Sequence, residues 1–204
     1  MGIKAALSIP YARFVKRRID RWSKRAVSMQ DKNFRYLINK AKNTAFGKEH
    51  DFSNINSYED FKKRVPIRDY ELLRPYINRV IDGEEDVLWP GLPMYFCKTS
   101  GTTSGAKFIP LTKASLPNHL NSAKYALLSY IAETGRADFV NGKMIFLQGS
   151  PLMEKLPSGI PFGRLSGIVA NHVPAYLLKN RMPSFETNCL GATYRREICL
   201  VRTF

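Results

Sequence analysis

A nine-residue segment near the middle of the chain carries residue types suited to binding an anion. Its sequence is Thr99-Ser-Gly-Thr-Thr-Ser-Gly-Ala-Lys107. Glycines let backbone N–H groups approach a ligand closely, hydroxyl groups donate further hydrogen bonds, and lysine adds a positive charge. The segment is not a Walker A loop, because Gly101 and Gly105 are one residue too close and Phe108 replaces the hydroxyl that binds Mg²⁺. It also lacks a G-x-G-x-x-G fingerprint, so an ordinary polar turn stays open as the alternative.

The loop resembles the phosphate-binding motif of the adenylate-forming superfamily, in residues 100–107 and the Pro110 that follows. The segment Leu88-Trp-Pro-Gly-Leu-Pro93 and the helical arm before it narrow this to one branch, the auxin-responsive acyl-acid amido synthetases of plants and their bacterial relatives. The resemblance covers about residues 10–188. It implies an α/β fold, the N-terminal part of the adenylate-forming large domain, in which a helical arm precedes a mainly parallel sheet with flanking helices.

The same resemblance implies a two-step reaction, ATP-dependent activation of a carboxylic acid as acyl-AMP and amide formation with an amino acid. ATP and Mg²⁺ are the implied cofactors, and no metal is expected on the protein itself. Lys107 is the candidate catalytic residue. The implied nucleotide-binding residues are Thr99, Ser100, Gly101, Thr102, Thr103, Ser104, Gly105 and Lys107. The candidate residues of the acyl-substrate pocket are Asn121, Lys124, Phe162, Leu165, Ser166 and Ile168.

Two departures from the family pattern concern activity. The family's motifs for adenine, Mg²⁺ and ribose, and its mobile C-terminal lid, lie beyond position 204. Plant members also use an arginine on the helix after the loop to bind the acyl carboxylate, and residues 113–135 contain none. We interpret residues 1–188 as the N-terminal portion of the domain and 189–204 as an atypical tail from a frameshift or an early stop. A genuine short variant is the alternative, and either way we expect an incomplete enzyme.

Composition limits the class of protein without selecting a ligand. The 204 residues are 44% hydrophobic and carry a formal net charge of +15, which is typical of a globular protein that attracts anions. The cysteines Cys97, Cys189 and Cys199 form no C-x-x-C pair, and three scattered histidines lack metal-ligand spacing. No signal peptide or membrane-span pattern is present, so we expect a cytoplasmic protein.

Apolar periodicity predicts the elements that hold the loop. It predicts helices over 11–26, 30–44, 57–64, 69–83 and 116–135, and strands over 94–98 and 143–147. Ser57-Tyr-Glu-Asp60 and Asp69 are predicted to cap the third and fourth helices. The predicted apolar faces are Phe34, Leu37, Ile38, Ala41 and Ala45 in the second helix, and Leu116, Leu120, Ala123, Leu127 and Ile131 in the fifth. Together these elements suggest a helical arm over 1–85 and a loop-and-sheet region over 86–188. Residues 149–174 are a glycine- and proline-rich connection that the resemblance places beside the acyl pocket.

Two other functions stay open. The chain could be a non-catalytic anion- or nucleotide-binding module, or its basic helix 11–26 could bind a membrane or nucleic acid. We favour a solvated basic face for that helix, because charge runs on helices are usually exposed to solvent. The expected partners are a small carboxylic acid and an amino acid, with neither nucleic acid nor membrane.

Overall fold

The structure, a computed structural model, describes residues 2–99 and 105–189. The helices are α1 (Ile3–Ser23), α2 (Ala26–Ala41), α3 (Ala45–Glu49), α4 (Tyr58–Arg64), α5 (Tyr70–Ile81), α6 (Leu116–Thr134), α7 (Leu165–Ala170), α8 (Ala175–Leu178) and α9 (Phe185–Cys189). The strands are β1 (Tyr95–Lys98), β2 (Phe108–Leu111), β3 (Met144–Ile145), β4 (Glu154–Lys155), β5 (Pro161–Gly163) and β6 (Arg181–Met182). The predicted α/β class is confirmed.

The chain divides into two compact units that do not follow its linear order. Unit 1 contains residues 1–17, 117–154 and 163–204, and unit 2 contains residues 18–116 and 155–162. The described ends of the loop predicted to bind phosphate, Thr99 and residues 105–107, therefore belong to unit 2. The division into an arm over 1–85 and a sheet region over 86–188 stays a prediction.

A four-stranded sheet of order β2-β1-β5-β4 organises unit 2. β1 and β2 pair antiparallel, whereas the separate pair β3–β6 is parallel, so the described strands occur in both orientations and are mixed instead of mainly parallel as the resemblance implied. Helix α5 and the sheet share one apolar core, in which Phe96 is fully buried. The buried members of that core are Tyr76, Ile77, Val80, Val87, Phe96, Ile160 and Phe162. Full burial of one such side chain contributes about 1.5–3 kcal/mol, which makes this core the main support of the hairpin β1–β2.

Two helices of unit 2, α4 and α5, begin at the polar caps that the sequence predicts. Ser57 and Asp60 form a reciprocal capping box at α4, in which Asp60 N donates to Ser57 Oγ at 3.1 Å and Ser57 N donates to Asp60 Oδ2 at 3.1 Å. Asp69 Oδ1 accepts a 2.9 Å hydrogen bond from Leu72 N at the start of α5. Each cap satisfies backbone N–H groups that have no partner inside the helix.

The first helix is longer than the sequence predicts. α1 begins at Ile3 and continues through Pro10, which apolar periodicity places before its start. Its small residues Ala5 and Ala12 are fully buried, so packing of this face compensates for the hydrogen bond that proline cannot donate. In α2 the predicted core face is partly wrong, since Ile38 is buried and Leu37 is 51% exposed.

Unit 1 shows where apolar patterns and burial diverge. In α6, Leu128 and Ile131 are buried, whereas Leu127, which lies in the predicted stripe, is 39% exposed. Of the apolar run 143–147 only Met144–Ile145 forms strand β3, paired to β6 at Met144↔Arg181. The connection 149–174 contains the regular elements β4, β5 and α7.

Candidate functional site

Strands β1 and β2 close the loop predicted to bind phosphate at its base. Their register pairs Lys98 with Phe108, and Thr99 N donates a 3.0 Å hydrogen bond to Lys107 O. The predicted residues Ser100, Gly101, Thr102, Thr103 and Ser104 lie outside the described residues. Thr99 and Lys107 thus stand at the two ends of the loop, where an antiparallel ladder fixes their separation.

Gly105 has a backbone conformation that favours glycine. Its φ is +84°, in the left-handed region, and a Cβ added there would meet no atom of residues 2–99 and 105–189 within 4 Å. The requirement for glycine at this position is therefore conformational, not a matter of space. A turn of this hand beside Lys107 is compatible with backbone N–H groups that point at a bound anion.

Tyr70, the first residue of α5, holds β2 at the point where the loop ends. Its hydroxyl accepts a 2.8 Å hydrogen bond from Phe108 N and donates to Phe108 O at 3.5 Å. The ammonium nitrogen of Lys107 lies 5.2 Å from the centre of the Tyr70 ring, and the guanidinium carbon of Arg74 lies 5.8 Å from it. These distances are typical of cation–π contacts. Sequence reasoning missed both Tyr70 and Arg74.

Aromatic contacts fix the other face of the hairpin. The Phe108 ring meets Phe96 edge to face at 6.3 Å and Phe162 at 5.5 Å. Lys98 Nζ lies 5.8 Å from the Phe162 ring. Because neighbouring residues of a strand point to opposite faces, Lys98 lies on the Phe108 face and Lys107 on the other. A second lysine thus flanks the loop. Its position directly before Thr99 was the only signal in the sequence.

Cys97 and His50 are buried groups whose surroundings argue against catalytic roles. Burial raises the pKa of the Cys97 thiol, which keeps it protonated and weakly nucleophilic. Arg68 Nη1 donates to His50 Nε2 at 2.6 Å, and since arginine only donates, this nitrogen is the acceptor. The Arg68 guanidinium also lies over the rings of Phe46 and Tyr76. The histidine is therefore part of a packed polar cluster.

The candidate residues of the acyl pocket are divided between the two units. Phe162 is buried in the core of unit 2 and contacts Phe108. Ile168 is fully buried in α7, Leu165 is 37% exposed, and Ser166 Oγ accepts a 3.0 Å hydrogen bond from Gly149 N.

On α6, Asn121 is half-buried and Lys124 is exposed, with its Nζ 5.7 Å from the Tyr125 ring. A pocket formed by these six residues stays a prediction.

Arg181 is a buried cation that sequence reasoning did not single out. It is 4% exposed, and its Nη1 donates to Ala170 O at 3.5 Å. Its Nε and Nη2 have no hydrogen-bond partner in the described part of the chain. Burial lowers the pKa of the guanidinium. A buried charge is costly when its N–H groups lack partners, so we expect Arg181 to lower the stability of unit 1 unless residues outside the described ranges satisfy it.

Other types of site find little support in residues 2–99 and 105–189. These residues contain no group of three His, Cys, Asp or Glu side chains that could hold a metal ion. No helix within the same ranges is long and apolar enough to cross a membrane. An open cleft of about 520 Å³ lies between α2 and the turn at Phe52–Asn54, with Lys32, Arg35 and Lys42 in its wall. None of the residues that the sequence predicts to bind nucleotide or acyl substrate lines this cleft.

Comparison with known protein families gives a match over most of the chain. A sequence model described as the GH3 family N-terminal domain matches residues 15–200. The indole-3-acetic acid-amido synthetase GH3.15 of Arabidopsis thaliana is 41% identical over 75 residues, which are 35% of this chain and 13% of that protein. The jasmonoyl–L-amino acid synthetase JAR4 of Nicotiana attenuata is 25% identical over 170 residues, which are 82% of this chain and 28% of that protein.

Solved structures support the same fold. The GH3.15 acyl acid amido synthetase in complex with 2,4-DB matches with a TM-score of 0.69 and 22% identity, over 85% of this chain and 30% of that chain. A second structure of GH3.15 acyl acid amido synthetase gives a TM-score of 0.66 at 20% identity. The chain therefore spans less than a third of the length of each of these relatives.

Proposed function

Because this chain belongs to the GH3 family, we propose that it forms the triphosphate-binding part of an ATP-dependent acyl-acid amido synthetase. The observation that carries the proposal is the loop between β1 and β2, closed by the Thr99–Lys107 hydrogen bond with Lys107 at its end. The names of its relatives describe enzymes that act on indole-3-acetic acid and jasmonate. They support a small carboxylic acid and an amino acid as substrates, and we propose that the reaction takes place in the cytoplasm.

The proposed reaction has two steps. In the first, a carboxylate oxygen of the acid attacks the α-phosphorus of ATP, and the bond to the bridging oxygen breaks, so that acyl-AMP forms and pyrophosphate leaves. In the second, the amine of an amino acid attacks the acyl carbon, a proton is lost from nitrogen, and AMP leaves. The first step gathers negative charge on the phosphates, so its catalysis depends on positioned positive charge and N–H donors.

The loop residues have matching roles in the first step. Lys107 would donate charge-assisted hydrogen bonds to the phosphate oxygens of ATP. The backbone at Gly101 and Gly105 would approach the phosphates closely, and the hydroxyl groups would add donors from Thr99, Ser100, Thr102, Thr103 and Ser104. The described residues contain no group of three metal-binding side chains, so Mg²⁺ would be held mainly by the phosphates of ATP and would neutralise part of their charge.

ATP binding by the 204-residue chain tests the proposal. We expect the Lys107→Ala variant to bind MgATP about 10- to 100-fold more weakly than the unaltered chain in isothermal titration, because a hydrogen bond to a charged group contributes about 1.5–3 kcal/mol. The Lys63→Ala variant is the matched control. It removes the same charge from an exposed position on α4, so its affinity for MgATP should stay within about twofold of the original.

The outcomes separate the proposal from the alternatives. Equal affinity in the Lys107→Ala and Lys63→Ala variants would show that net charge alone attracts the nucleotide, and would refute a phosphate site at the loop. ATP–pyrophosphate exchange in a full-length version of the protein then tests the chemistry. Tight MgATP binding without exchange for any carboxylic acid would favour the non-catalytic nucleotide-binding module.

A further inference from the structure

The outer edge of β2 is closed by a side chain instead of a strand. β2 is the outermost strand of its sheet, on the side away from β1, and an edge strand leaves backbone N–H and C=O groups without a strand neighbour. At Phe108 both groups are satisfied by the hydroxyl of Tyr70, which accepts from N at 2.8 Å and donates to O at 3.5 Å. Phe108 directly follows Lys107, so this contact fixes the backbone at the end of the loop.

The ring of Tyr70 adds a second contact to the same place. Lys107 Nζ lies 5.2 Å from the ring centre and the Arg74 guanidinium carbon 5.8 Å from it, so the two cations are at most about 11 Å apart. Arg74 is also paired with Glu71 at 3.0 Å, one helical turn earlier. The contact of an ammonium group with an aromatic ring is weaker than the hydrogen bonds that the same ammonium group donates to a phosphate. Lys107 can therefore leave the ring when an anion binds.

The start of α5 is itself held in place. Asp69 caps the helix through its 2.9 Å contact with Leu72 N, directly before Tyr70. Further along, Tyr76 and Ile77 are buried in the core that also contains Phe96 of β1. Tyr70 thus extends from a rigid helix to the hairpin, which is the arrangement that a precisely placed binding group requires.

We propose that Tyr70 is the positioning residue of the phosphate loop. Its hydroxyl fixes the backbone of β2 where the loop ends, and its ring holds the ammonium group of Lys107 beside that point until phosphate displaces it. The inference rests on the proposed function, because it assigns Tyr70 a role in the same nucleotide site. Tyr70 acts through Lys107 and need not touch ATP.

The test compares two tyrosines of α5. Tyr70→Phe removes the hydroxyl that contacts Phe108, whereas Tyr76→Phe removes a hydroxyl from the core of the same helix. We expect Tyr70→Phe to weaken MgATP binding about three- to tenfold in isothermal titration, and Tyr76→Phe to leave it unchanged. Thermal unfolding of both variants measures the structural cost separately. Tyr70→Leu also removes the ring, a contact that Lys107 gives up when phosphate binds, so it should weaken binding no further than Tyr70→Phe does.

A double-mutant cycle with Lys107 distinguishes positioning from general stability. If Tyr70 acts through Lys107, the effect of Tyr70→Phe on MgATP affinity shrinks to less than about twofold in the Lys107→Ala background. Tripolyphosphate, a probe with no adenosine, should show the same pattern, since the role concerns phosphate.

The possible results separate this inference from the proposed function. Wild-type affinity in both Tyr70 variants, together with weak binding by Lys107→Ala, overturns the role of Tyr70 and leaves the phosphate site standing. Equal losses from Tyr70→Phe with and without Lys107 show a purely structural role and also overturn it. Absence of MgATP binding by the unaltered chain refutes the proposed function itself, and the inference with it.

Discussion

Gly167 provides a sharp test of how unit 1 is packed. It lies in α7, and a Cβ added at this position would be 2.0 Å from the backbone carbonyl oxygen of Ser150. Real Cβ atoms essentially never approach another heavy atom within 3.0 Å. A Gly167→Ala variant must therefore move α7 and the segment around Ser150 apart by at least about 1 Å, because both sides of the contact are backbone.

The size of the effect follows from the contacts that such a shift would strain. Gly149 N donates to Ser166 Oγ at 3.0 Å, and Asn171 Nδ2 donates to Pro151 O at 3.0 Å, so both bonds join the two segments that must separate. Losing two hydrogen bonds costs about 2 kcal/mol, and overpacking costs about 1–3 kcal/mol more. The higher helix propensity of alanine compared with glycine offsets about 1 kcal/mol of this loss. We expect a net loss of about 2–4 kcal/mol.

Urea unfolding followed by far-UV circular dichroism measures this loss. Fluorescence is unsuitable, since Trp22 and Trp89 both lie in unit 2. The control is Gly142→Ala in unit 1, where an added Cβ would be 3.7 Å from its nearest neighbour, an ordinary contact. Its free energy of unfolding should change by less than about 0.5 kcal/mol. A Gly167→Ala variant as stable as that control would refute the packing of α7 against Ser150.

Two further predictions concern charge. Arg181→Met should raise the free energy of unfolding in urea by about 1–3 kcal/mol, because it replaces with an apolar chain a buried guanidinium whose Nε and Nη2 lack partners among the described residues. An unchanged or lower free energy of unfolding would contradict this. The Ser57 hydroxyl and the backbone N–H of Asn56 hold the pKa of Asp60 below its ordinary value. The ionised Asp60 carboxylate therefore stabilises the folded chain fully above about pH 4, and this stabilisation is lost as the pH falls through the folded-state pKa. The urea midpoint should therefore fall less between pH 6 and pH 3 in Asp60→Asn than in the unaltered chain, and equal falls would contradict this.

The sequence predicts best what depends on near neighbours. The capping box of Ser57 and Asp60 and the cap at Asp69 are confirmed, because these bonds join residues three positions apart. The strand before the loop is confirmed at Tyr95–Lys98. The family assignment is confirmed as well, since the loop motif is a contiguous string of residue types.

Contacts between distant residues decide the rest. The hydrogen bonds of Tyr70 to Phe108 join positions 38 apart, and no periodicity marks such a pair. Apolar spacing likewise predicts a helical face but not its neighbour, which explains the exposed Leu127 in α6. The burial of Arg181 is unexpected for the same reason, because arginine side chains are mostly exposed.

The candidate site combines a loop that can be recognised from the sequence with support from α5 that only the fold reveals. The loop and its support can therefore be tested separately. The loop could be recognised from its own residues, and a substitution at Lys107 tests only that recognition. The support from α5 could be found only from the fold, because Tyr70 and Arg74 belong to a helix whose apolar spacing accounts for its core face and says nothing of its first turn. If Lys107 binds phosphate wherever the loop happens to lie, Tyr70→Phe has no effect on affinity. If the loop must be held at a fixed point, the hydroxyl on Phe108 determines the affinity, and a motif search alone would overestimate how many such loops bind ATP.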